Sequence, residues 1–160
     1  MRKIAVMMSI ALLAAACGEA YRSPQSGASA APCAGDDGIV VSDAWMRAAS
    51  TGRPMSAAYL TLCNSGEAPD RLLSISTEAA GAAELHQTRK NEAGVASMAP
   101  VDAIELTPDE AVALAPGGAH IMLIGLTRAV AAGETITMTL EFEHAPPQTI
   151  TVEAREPGDE

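Results

Sequence analysis

The sequence predicts an all-β domain, a sandwich or barrel of short strands, on three observations. Short apolar or alternating segments recur through most of the chain, and Gly, Pro and Asn punctuate them. The composition is 48% hydrophobic but only 2% aromatic, which leaves Ala, Val, Leu and Ile to build the core. Many short strands separated by turn signals are the pattern of a sandwich or barrel.

In chain order the segments begin with IVVSDAWMR from Ile39 and SAAYLTLCN from Ser56, the second closed by Asn64-Ser65-Gly66. DRLLSIST and AAELHQT follow, and Asn91 to Gly94 separates the latter from GVASMAPV. AIEL and AVALAP are short, and Pro116-Gly117-Gly118 leads into AHIMLIGL. TITMTLEFE, after Ala132-Gly133, is the clearest strand: Ile136, Met138, Leu140 and Phe142 share one face, and Thr137, Thr139, Glu141 and Glu143 the other. QTITVEA completes the set, and a short helical turn is placed near Pro108-Asp109-Glu110 without further weight.

Ahead of these segments, MRKIAVMMSIALLAAAC has a basic start, an apolar run from Ile4 to Leu13 and small residues before Cys17. That is the layout of a bacterial secretory signal over residues 1–16, too short for a membrane-spanning helix. Ala14-Ala15-Ala16-Cys17 also resembles a lipobox, which makes Cys17 the expected lipidation site and the periplasm the expected compartment; plain cleavage after Ala16 is the alternative. Residues 17–37, rich in Ala, Ser, Gly and Pro, read as a flexible tether, residues 38–155 as one folded domain, and 156–160 as a polar tail.

Without residues 1–16 the chain keeps 8 basic and 20 acidic residues, a net charge of −12. Phosphate binding needs clustered Lys and Arg, so nucleic acid is not an expected partner. In an oxidising compartment Cys33 and Cys63 form an even pair for which a disulfide is the default and two buried thiols the alternative.

Three His and five Met follow Cys17. Met138 lies in the apolar register of its strand, Met46 adjoins Trp45 and reads as packing, and Met55 follows Pro54 in an expected loop. His144, before Pro146-Pro147, reads as a solvated surface imidazole. His120 and Met122 are two apart on one strand and therefore project to the same face. A hairpin centred near Glu92 pairs positions whose numbers sum to about 184, which sets His86 opposite Met98.

Two imidazoles and two thioethers suit few metals. Calcium and magnesium require hard oxygens, and structural zinc favours thiolates, imidazoles or carboxylates. Thioether sulfur is soft and selects Cu(I), which neutral imidazole also binds. Met pairs on strands are otherwise ordinary core, so the residues alone leave both readings open.

The spacing from His86 to Met98 and on to His120-Ile121-Met122 resembles the signature of the PCu(A)C family of periplasmic copper chaperones. SDAWMRA, SAAYLTLCNSG, APDRLLSISTEAAGAAELHQT and LAPGGAHIMLIGL are similar to that family as well. The resemblance implies a single-domain cupredoxin-like or immunoglobulin-like β-sandwich binding one Cu(I) through His86, Met98, His120 and Met122. It also implies delivery to the copper centre of cytochrome c oxidase or to Sco-type thioredoxin-like proteins. The protein is expected to be a monomer and to meet the membrane only through a lipid on Cys17. Gln87 stands where some members carry Met, and the isolated His144 gives no Met/His-rich tail.

Other functions fit less well. A blue-copper carrier needs a Cys thiolate with two His, whereas Cys63 is followed by Asn64-Ser65-Gly66. A metal-free β-sandwich lipoprotein, acting as an assembly module, predicts His and Met side chains that are buried and apart. An enzyme is not expected: no nucleophile elbow, H-E-x-x-H or phosphate-binding loop is present, and His86 and His120 have no evident acid–base partners at motif spacing.

Overall fold

The computed structural model describes residues 33, 38–50, 52–91 and 93–156. The signal segment, Cys17, all of the tether except Cys33, and the tail from residue 157 lie outside the described residues. Ten strands run in order as β1 Ile39–Arg47, β2 Met55–Asn64, β3 Asp70–Ser76, β4 Ala80–Lys90, β5 Ala96–Pro100, β6 Ile104–Leu106, β7 Ala111–Leu114, β8 Ala119–Leu126, β9 Thr135–Phe142 and β10 Gln148–Arg155. The described residues contain no helix, in keeping with the all-β class read from the sequence. At Pro108-Asp109-Glu110 the chain makes a bridge to Asn64 and a turn, with Asp109 at φ 57, in place of a helical turn.

The strands form one hydrogen-bonded path, β5-β4-β8-β2-β1-β10-β9-β3-β6, with β7 pairing β2 beside it. Among the described strand pairs only β1 and β10 run parallel. Buried side chains from both ends of that path, among them Leu72, Leu85, Ile121, Leu123, Met138 and Leu140, belong to one core, so the sheet folds over on itself. An irregularity in β1 lies between Ser42 and Trp45, where Asp43 takes φ 51; beyond it the strand still pairs β2 and also pairs β10 through Trp45, Met46 and Arg47. Such a bulge bends a strand and sharpens its twist, which helps the path close around the core.

In β9 the alternation is as expected: Ile136, Met138, Leu140 and Phe142 are buried. Met46 is also fully buried. Consecutive strands β3 and β4 lie far apart along the path, leaving β4, β8 and β2 adjacent to one another. Those three strands, with β5 paired to β4, carry the residues of interest.

Two features tie the ends of the fold. A disulfide joins Cys33 to Cys63 near the end of β2, with Cα atoms 5.5 Å apart and a sequence separation of 30. The Asp70 carboxylate, at the start of β3, accepts hydrogen bonds from the backbone N–H groups of Arg71, His144 and Ala145 at 2.7, 3.0 and 2.8 Å. Burial pushes its pKa up, but these donors outweigh burial and hold it below the ordinary 3.8.

Closing a loop of that length restricts the unfolded chain, and Cys33→Ser with Cys63→Ser is expected to lower stability by roughly 3–4 kcal/mol in urea unfolding. For Asp70, a depressed folded-state pKa means stabilisation that is present above 3.8 and lost as pH falls through the folded value. Asp70→Asn should therefore be less stable than wild type at neutral pH and lose less on acidification. Urea midpoints at neutral and acid pH measure both.

Candidate metal centre

Strand β8 is amphipathic across the sheet. Ile121 and Leu123 are fully buried in the core, so His120 and Met122 project from the opposite face. On one side β4 sets His86 opposite His120 and Glu84 opposite Met122. On the other, β2 sets Ala57 opposite Met122 and Met55 opposite Ile124. Paired residues share a face, so all of these side chains stand on the same outer surface.

The hairpin register differs from the expected one. Met98 lies opposite Thr88, and His86 lies opposite Pro100, so the paired numbers sum to 186 and Met98 is diagonal to His86. The cause is the loop. Asn91 Oδ1 accepts hydrogen bonds from the Ala93 and Val95 N–H groups, and Gly94 takes φ 77, which moves the centre of the hairpin to Ala93. A shift of two preserves the face, so Met98 stays on the side of His86.

His120, Met122 and Met98 line one cleft of 390 Å³, together with Met55, Tyr59 and Thr88. His86 is not in the lining; its ring stands beside His120, with centroids 5.9 Å apart. His120 is only 4% exposed whereas Met98 is 58% exposed, so the cleft runs from a buried imidazole to a solvent-facing thioether. A larger groove of 770 Å³, lined by Thr and Ser hydroxyls such as Ser76, Thr137 and Thr139, contains no His or Met.

Hydrogen bonds select the tautomers. His120 Nδ1 lies 3.1 Å from the Gly118 carbonyl oxygen, which can only accept, so Nδ1 carries the proton and Nε2 the lone pair. His86 Nε2 lies 3.1 Å from Glu84 Oε2; an ionised carboxylate likewise can only accept, so Nε2 carries the proton and Nδ1 the lone pair. That Nδ1 atom is buried and has no hydrogen-bond partner. A buried nitrogen left unsatisfied costs about 1–3 kcal/mol, and a bound cation would satisfy it.

The turn before β8 fixes Gly118. Gly118 N–H donates to Ala115 O at 3.0 Å, with Pro116 and Gly117 between them and Gly117 at φ 79, the geometry in which Gly is favoured. Gly118 O also accepts from Thr88 N–H at 3.0 Å, so one carbonyl orients the His120 ring and holds β4 beside it. At the cleft wall the Tyr59 ring lies 4.5 Å from the Trp45 ring, and the guanidinium groups of Arg155 and Arg47 lie 5.4 and 5.7 Å from the Trp45 and Tyr59 rings. These contacts brace the face that His120 shares.

Among the described residues no three His, Cys, Asp or Glu side chains are grouped to hold a metal. With its sulfur in the disulfide, Cys63 offers no thiolate of the kind a blue-copper centre uses. His144 is exposed, 69% by side chain, as expected of a surface imidazole.

Sequence reasoning missed three residues here. Glu84 is a partner for His86, visible in principle from the two-residue spacing on a strand. Met55 was expected in a loop but opens β2, and Tyr59 lies near His120, with ring centroids 6.4 Å apart.

Residues 39–154 match the family model described as "Putative lipoprotein LpqE-like". The chain belongs to the LpqE-like family. It is 31% identical over 120 residues to "Putative lipoprotein Lxx21020" of Leifsonia xyli subsp. xyli, a match that spans 75% of this chain and 71% of that one. Among solved structures it is similar to the copper-bound PCuAC domain from PmoF2, at 30% identity and a TM-score of 0.64 over 74% of this chain and 93% of that one. The apo PCuAC domain from PmoF1 matches at 33% identity and a TM-score of 0.64, over 77% and 98%. Cu(I)-bound DR1885 from Deinococcus radiodurans matches at 26% and 0.61, over 82% and 85%. The resemblance to the PCu(A)C family and the cupredoxin-like β fold read from the LpqE-like chain are thereby borne out.

At Gly117 the left-handed backbone, not crowding, is the constraint, since a Cβ there meets nothing within 4 Å. Gly117→Ala is expected to cost about 1–2 kcal/mol in urea unfolding.

Proposed function

We propose that this LpqE-like protein is an exported copper chaperone that binds one Cu(I) through His86, Met98, His120 and Met122 and passes it on. The observation that carries the reading is that the four side chains share one face around β8, with three of them lining a single cleft. Copper is the cargo. His86 Nδ1 and His120 Nε2 hold the available lone pairs, and the thioethers supply soft sulfur.

The donor set favours Cu(I) over Cu(II). All four donors are neutral and two of them are soft thioethers, a set that suits a soft monovalent ion better than a divalent one. Carboxylate–imidazole contacts such as that of Glu84 with His86 orient ligands and raise their basicity. The exposed Met98 end of the cleft is where an incoming partner can replace one donor at a time.

The lipoprotein names of the family and of Lxx21020 support export and anchoring, for which Cys17 is the proposed attachment point. The proposed recipients are the copper centre of cytochrome c oxidase or Sco-type thioredoxin-like proteins, as the PCu(A)C resemblance implies. A metal-free assembly module is disfavoured by the cleft itself, because the His and Met side chains converge and Met98 is left in solvent.

Met98→Leu with Met122→Leu keeps volume and removes sulfur. Outer-shell partners alone contribute 10–100-fold, so Cu(I) affinity is expected to fall by more than about 100-fold in competition with a chelator. Unchanged affinity in the double variant would sink the proposal. Acidification should also weaken binding, because protons compete for the imidazole lone pairs; the same competition repeated at lower pH measures this.

A further inference from the structure

Met55 sits in the same cleft as three of the proposed ligands and is 55% exposed. Of the five Met residues described, Met46 and Met138 are fully buried, while Met55 and Met98 are among the most exposed large apolar side chains. Burying such a side chain is worth about 1.5–3 kcal/mol, which both forgo. Two exposed thioethers on one cleft therefore need a reason other than packing.

The strand pairing supplies the geometry. Met55 pairs with Ile124 and Ala57 with Met122, so Met55 and Met122 are diagonal neighbours on one face. Such neighbours stand roughly 7–8 Å apart at Cα, within reach of long side chains. Ala57, opposite Met122, contributes only a methyl group and leaves the space between them open. The backbone beneath Met55 is held by β8, since Leu126 N–H donates to Pro54 O at 2.9 Å. Met98 approaches the cleft from the opposite flank, by way of β4 and β5.

We propose that Met55 is an additional thioether contact for a soft monovalent cation, Cu(I) or Ag(I), at the mouth of the cleft, and that it holds the ion during exchange. The proposal rests on the copper reading of the site. Four donors already satisfy a tetrahedral ion, so Met55 enters as another donor leaves. One metal–sulfur bond forms while another metal–ligand bond breaks, the metal keeps its oxidation state, and no proton or electron moves. Occupying Met55 draws the ion away from buried His120 toward solvent.

The test uses the protein labelled with [¹³C-methyl]methionine and titrated anaerobically with Cu(I). The methyl signals of Met98 and Met122 should shift, that of Met55 should shift or broaden through exchange, and those of Met46 and Met138 should stay. Met55→Leu should slow removal of Cu(I) by excess chelator about tenfold, the lower end of what groups around a metal contribute. A Met55 signal that stays put, or a Met55→Leu variant that releases copper at the wild-type rate, overturns this role while leaving the four-ligand site standing. Unmoved Met98 and Met122 signals remove both.

Discussion

Strand β8 is hydrogen-bonded on both sides, to β4 through Ala80–Gln87 and to β2 through Met55–Ala58, and burial of Ile121 and Leu123 fixes which of its faces points inward. Each of these side chains contributes about 1.5–3 kcal/mol by leaving water. A slip of one residue would expose both and drive His120 and Met122 into the core. The arrangement of the cleft is thus enforced by apolar residues that never touch it. Once β8 is oriented, pairing alone brings His86 beside His120, and sets Glu84 and Ala57 on either side of Met122.

Where the sequence was legible, burial made it so. TITMTLEFE and AHIMLIGL each alternate because one face is in the core, and both strands lie where the pattern put them. The hairpin register was not legible for the converse reason. Every residue of β5 is exposed, so no hydrophobic pattern pins it against β4, and the Asn91 side chain sets the loop instead. An alternation argument can say that Met98 shares a face with His86 but not which residue it opposes.

Met55 and Glu84 illustrate a second limit. Pro54 suggested a loop, yet its carbonyl is held by Leu126, a residue 72 positions later, and that contact starts β2 at Met55. Glu84 is equally ordinary in sequence, and only the strand conformation of β4 turns its two-residue offset from His86 into a contact. Both belong to the cleft through tertiary pairing. The residues that the PCu(A)C resemblance picked out were recognisable because their spacing resembles that signature; these two carry no such mark.

The cleft combines a rigid inner end with an open outer one. His120 is braced by Gly118, His86 and Tyr59, whereas Met98 stands in solvent on an exposed strand. That gradient suits a site that must hold an ion and then release it. X-ray absorption at the copper K-edge on the Cu(I)-loaded protein tests the central claim most directly. A shell containing both thioether sulfur and imidazole nitrogen is the predicted result, and a shell of nitrogen and oxygen alone would contradict it.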